Sequence, residues 1–96
     1  MEARLVTLTV GPGQRDAMVA LADASYNLTK SLPGFVSSTY FIFDETRGIY
    51  GSMTVWQSKA EAEAAGEKLR PWLQEKAGAI MTAPLEVRHA EVYQPT

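Results

Sequence analysis

Two short stretches, Leu32-Pro33-Gly34-Phe35 and Thr54-Val55-Trp56-Gln57-Ser58, punctuate this chain. The first closes a helical pattern and opens a strand. The second closes a strand and opens an Ala/Glu-rich helix. Together they cut 96 residues into two β-α halves. A chain of this length is one domain near the small end of the usual range and buries only part of its apolar surface by itself.

Each half reads clearly. Arg4 to Val10 alternates aliphatic and β-branched residues with Thr until Gly11-Pro12-Gly13 stops it, which predicts a first strand. Met18, Leu21, Ser25, Leu28 and Leu32 recur at spacings of three and four, which predicts a helix from about Gln14 to Ser31 with one apolar stripe. Pro33 disfavours helical geometry at Leu32, and Gly34 is free to take the positive φ of a turn. Phe35 to Phe43 and Ile49 to Trp56 predict a hairpin joined by Asp44-Glu45-Thr46-Arg47-Gly48. In its first strand, alternation puts Phe35, Thr39, Phe41 and Phe43 on one face and Val36, Tyr40 and Ile42 on the other.

Ser58 is the expected N-cap of the second helix, with Glu61 completing a capping box and Ala62, Ala65, Leu69, Trp72 and Leu73 as its stripe. Pro71 is expected to break that helix at Arg70 and restart it, and Gly78 to close it. Leu85, Val87, Val92 and Tyr93 form a last strand. The order β-α-β-β-α-β, with right-handed crossovers, gives an α+β ferredoxin-like plait: a four-stranded antiparallel sheet with both helices on one face. Large apolar groups on both faces of the hairpin then require a partner over the uncovered face.

Chemistry is less legible than architecture. With no Cys and a single His, a disulfide framework and any His/Cys zinc, iron-sulfur or Cys-nucleophile site are excluded, and neither metal nor other cofactor is expected. A formal charge of -2 offers no general attraction to nucleic acid or anionic lipid. Arg47-Gly48-Ile49-Tyr50 begins like the basic-Gly-aromatic signature of RNA-binding plaits, but Ile49, Gly51 and Thr54 stand where stacking aromatics belong. Gly11-Pro12-Gly13 lacks both the Lys-Ser/Thr of a P-loop and the third Gly of a dinucleotide fingerprint. Met1-Glu2-Ala3-Arg4 starts a strand without a basic segment and apolar run, and the longest apolar run, Tyr40 to Phe43, is far too short to span a membrane. A cytoplasmic location, with no membrane partner, is the expectation.

Leu32-Pro33-Gly34-Phe35 and Val55-Trp56-Gln57-Ser58, in that order of elements, resemble the antibiotic biosynthesis monooxygenase family of dimeric α/β barrels. The resemblance implies a homodimer whose two sheets pack into a barrel, with a small-molecule pocket between sheet and helices in each subunit. Active members oxidise polycyclic phenols or quinols with O₂, without metal or flavin. The haem-degrading branch uses an Asn in the first strand with a Trp and a His in the second helix. Here that strand has no Asn and that helix, with Trp72, has no His, so haem degradation is not expected.

Strand three presents Tyr50, Ser52, Thr54 and Trp56 on one face, so Trp56 is a candidate for lining a pocket mouth, with core packing as its other reading. Tyr40, Tyr50 and Tyr26 are the further pocket candidates. Asn27 on the first helix and His89 on the last strand are the candidate catalytic groups that accept or orient a proton, although His89 also fits an ordinary packed imidazole. Trp72 reads as core. The leading expectation is a homodimeric, cofactor-independent monooxygenase acting on a small aromatic phenol or quinol. A non-catalytic dimeric barrel binding a small hydrophobic metabolite, or a lactone isomerase-type enzyme, are the alternatives.

Overall fold

The computed structural model describes residues 1–96. Its elements run β1 (Glu2–Thr9), α1 (Arg15–Thr29), β2 (Phe35–Asp44), β3 (Ile49–Trp56), α2 (Lys59–Ala77) and β4 (Glu86–Glu91). They build one antiparallel sheet in the order β2-β3-β1-β4. Met18 and Leu21 of α1 and Leu73 and Ala77 of α2 pack against Val6, Leu8 and Tyr50, so both helices cover the same face. This is the ferredoxin-like plait expected from the order of elements. No helix is long and apolar enough to cross a membrane.

The two punctuating stretches meet in space. Gly34 has φ +82°, and its carbonyl accepts a hydrogen bond from the Gln57 amide at 2.8 Å. One bond thus joins the turn after α1 to the turn before α2. Helix α1 ends at Thr29, two residues before the expected Ser31. Its last turn tightens into shorter bonds, Ser31 N–H to Leu28 C=O at 3.2 Å and Leu32 N–H to Thr29 C=O at 3.0 Å, as the chain prepares for Pro33. At the head of α2, the Glu61 amide donates to Ser58 Oγ at 3.2 Å, and the Ser58 hydroxyl donates to the Glu61 carboxylate at 3.0 Å.

Three further expectations need correction. The last strand spans only Glu86–Glu91, so Leu85, Val92 and Tyr93, expected in it, lie outside. Helix α2 runs unbroken through Pro71. Pro71 and Glu67, the residue whose carbonyl loses its donor, are both exposed, so water serves that carbonyl while buried Leu69 and Ala77 hold the helix down on either side. In β2, Phe35 does not share a face with Phe41. It pairs with Trp56, while Ser37 pairs with Val55, so Val36 is an extra residue that inverts the alternation. A second irregularity falls between Ile42 and Asp44. Phe35 therefore packs under the helices beside Trp56, and Phe41 and Phe43 stack on the open face with ring centroids 5.5 Å apart. Leu5, Phe41 and Phe43 are the large apolar groups left exposed there.

Replacing Gly34 by Ala forces a side chain into left-handed backbone beside the Glu61 carboxylate. We expect a loss of about 1–2 kcal/mol, read as a lower urea midpoint at unchanged slope. An unchanged midpoint rules out the joint as a source of stability.

Candidate functional site

The helix-covered face of the sheet is not uniformly apolar. Cross-strand registers align Ser38 with Thr54, Thr54 with Arg4, and Arg4 with His89, so one polar row crosses all four strands. On one side of it lies a cluster of Val6, Leu8, Val10, Met18, Tyr50, Ala77 and Leu85. On the other lies a smaller cluster of Trp56, Ala62, Ala65 and Leu69. Between the sheet and the two helices is a cavity of about 390 Å³, in the size range that small-molecule sites occupy. Its walls are mainly apolar, from Val6, Leu8, Met18, Leu21, Leu69, Trp72 and Leu73, and the exposed Val19, Tyr26 and Ile42 mark its open side.

Five residues of this lining each carry a buried polar atom without a hydrogen-bond partner: Arg4 Nε, which lies beside Gly66 of α2, Thr29 Oγ1, Ser38 Oγ, Tyr40 OH and Tyr50 OH. Buried polar groups without a partner are rare, because each keeps its desolvation cost without recovering it. Five around one cavity describe a surface complementary to a polar ligand. Arg4 is 4% exposed and makes no ion pair. Burial pushes the pKa of its guanidinium down, and the charge of Arg70 acts in the same direction. Asp23, exposed on α1, is the carboxylate among the lining residues.

The sequence-derived candidates divide. Tyr26, Tyr40 and Tyr50 all line the cavity. Trp56 does not; it is fully buried, its indole N–H donating to Thr54 Oγ1 at 2.9 Å and its ring meeting Phe35 edge-on at 5.8 Å. The strand end that carries it lies beneath the start of α2, where Ala62 and Ala65 close over the ring. Trp72, expected in the core, is on the cavity wall. Asn27 is exposed and outside the lining. His89 is on β4 across from Arg4, with Nδ1 3.8 Å from a Glu2 carboxylate oxygen, and it borders a separate polar groove rather than the cavity. Arg4 and Asp23 were missed. The signal for Arg4 was present in the sequence, because it shares the phase of Val6 and Leu8 in the first strand and so had to face inward.

Trp56→Phe removes the donor to Thr54 and part of a buried ring. We expect it to cost about 1–3 kcal/mol in unfolding free energy while leaving the affinity of the folded protein for an aromatic ligand unchanged in calorimetry. Weakened binding at full stability places the indole in the cavity instead.

No protein-family model matches the chain, and no curated protein is similar to it at the level of sequence. Solved structures are similar over nearly its full length. A protein of unknown function from Nitrosomonas europaea superposes with a TM-score of 0.83 at 18% identity, covering 99% of this chain and 91% of that one. A candidate antibiotic biosynthesis monooxygenase from the same organism gives 0.81 at 12% identity, covering 98% and 100%. SnoaB, a cofactor-independent oxygenase from Streptomyces nogalater, gives 0.68 at 20% identity, covering 98% and 95%. The chain has the fold of the antibiotic biosynthesis monooxygenases.

Proposed function

We infer that this chain is a homodimeric monooxygenase that oxidises a small aromatic phenol or quinol with O₂ in the cavity between sheet and helices. The observation that carries this reading is the ring of unpartnered hydroxyls, from Thr29, Ser38, Tyr40 and Tyr50, set in walls that are otherwise apolar. Apolar walls accept an aromatic ring and exclude water, and the hydroxyls hold its oxygen substituents. The likeness in fold to proteins named as monooxygenases supports the same assignment.

The chemistry asks little of the protein. One atom of O₂ enters the ring, the other leaves as water, and the substrate supplies all the electrons as it becomes a quinone, so no external reductant enters the balance. What remains is to orient the ring and take the phenolic proton, since the phenolate is the better reductant. Asn27 and His89, the sequence's candidates for that proton, lie outside the cavity lining. We assign the proton to Asp23 at the rim and the orientation of the substrate oxygen to Tyr40 and Tyr50. The absence of a buried imidazole or carboxylate from the lining favours the second reading, a non-catalytic barrel that binds a hydrophobic metabolite.

Oxygen uptake with a panel of phenols and quinols separates the two readings. A monooxygenase consumes O₂ in step with quinone formation, and Asp23→Asn slows turnover by about a hundredfold or more at unchanged ligand affinity, the usual scale for loss of a positioned base. No uptake with any bound phenol or quinol leaves the binding barrel as the better account.

The homodimer rests on the open sheet face, where Leu5, Phe41 and Phe43 are exposed. Pairing two such faces buries an interface of roughly 1,600 Å² or more. Sedimentation at micromolar concentration is expected to give twice the chain mass of 10.5 kDa, and a monomer there sinks the assembly.

A further inference from the structure

The charge on the cavity floor restricts the ligand further than its apolar walls do. Arg4 stands at the centre of the sheet, and its Nε atom is sealed from solvent without a partner. No carboxylate comes within 4.0 Å of its guanidinium: neither Glu2, buried two residues back on the same face, nor Glu63 and Glu67, on a groove that Arg4 itself also borders, forms an ion pair with it. Arg70, from α2, borders the same groove and adds like charge. The fold makes room for this arrangement. Gly66, in the middle of α2, is where a side chain's first carbon would meet Arg4 Nε at 3.1 Å, and a glycine inside a helix is itself destabilising relative to alanine. Two unfavourable features, a guanidinium Nε sealed without a partner and an interior helix glycine, thus occupy one spot.

A buried charge is normally paired, because desolvation without compensation is among the largest penalties in folding. Arginine does not relieve the penalty by losing its proton. A ligand that is anionic at neutral pH supplies the pairing that no carboxylate of the chain makes. An ordinary phenol, which ionises near pH 10, does not qualify. A carboxylate does, and its two oxygens match the planar fork of a guanidinium. A phosphate is a poor fit to walls made largely of Val, Leu, Met and Trp side chains.

We propose that the cavity takes an aromatic carboxylic acid, with its carboxylate against Arg4 and the hydroxyls of Ser38, Tyr40 and Tyr50 around its remaining oxygens. This deepens the monooxygenase reading by naming an acid group on the substrate, and it depends on that reading only for the identity of the site. The acid group anchors; the phenol or quinol ring, where present, reacts.

The test is calorimetric titration of the intact protein with 2-naphthoate, its neutral isostere 2-naphthamide, and 2-naphthol. The expected result is naphthoate bound at least tenfold more tightly than the other two. Arg4→Met abolishes that preference by weakening naphthoate alone, Arg4→Lys retains part of it, and Arg4→Met melts no lower than the parent because an unpaired buried charge has been removed. Equal binding of the three probes overturns the proposal, as does a preference that survives Arg4→Met or an absence of naphthoate binding altogether. Should Arg4→Met fail to fold, the ranking of the three probes on the parent protein decides. Oxygen uptake is read separately: acid-selective binding without uptake leaves this inference standing and removes the monooxygenase, and uptake without acid selectivity does the reverse.

Discussion

A single buried guanidinium organises the covered face of this sheet. Arg4, with buried Glu2 beyond it in the same phase of β1, ends the aliphatic strip of Val6 and Leu8, and its neighbours across the sheet, Thr54, Ser38 and His89, are polar as well. Apolar side chains avoid that row, so the core forms as two clusters rather than one. The cavity opens chiefly over the first cluster, and Leu69 is the wall it takes from the second. The glycine in α2 leaves room for the Arg4 side chain, and Arg4 takes its place in the cavity lining.

Much of the architecture was legible because it depends on local chemistry. Pro33 and Gly34 turn the chain from the end of α1 into β2 through their own backbone preferences, and Ser58 caps α2 through its own neighbour Glu61. The errors arose where tertiary packing overruled a local rule. Pro71 ought to interrupt α2, yet the helix passes through it because the sheet grips Leu69 and Ala77 and the orphaned carbonyl faces water. Strict alternation put Phe35 with Phe41, and an extra residue at Val36, which no pattern in the sequence announces, moved it to the opposite face.

The site was legible in the same proportion. Tyr40 and Tyr50 lie at positions where strand alternation alone shows which face they take, and both line the cavity. Trp56 drew notice as a large aromatic at a strand end, but whether such a ring lines a space or plugs one depends on what lies above it. Here two alanines of α2 close over it. Arg4 carried a readable signal that was easily passed over. A lone basic residue near a terminus resembles ordinary surface decoration until the whole sheet shows that β1 is a central strand.

β2 is the other exposed margin of interest. From Phe35 to Phe43 it contains no charged residue and is rich in aromatic and β-branched side chains, and it forms one edge of the sheet. Such a segment, with its outer row of amides and carbonyls free, is a template on which further chains can add in register and grow into fibrils. The irregularities at Val36 and Phe43 fall near its two ends. Each throws the backbone out of step and increases its twist, so a straight incoming strand meets a hydrogen-bonding edge only a few residues long before the match fails. The same extra residue that moved Phe35 under the helices thus also guards the chain against assembling with itself along the wrong direction.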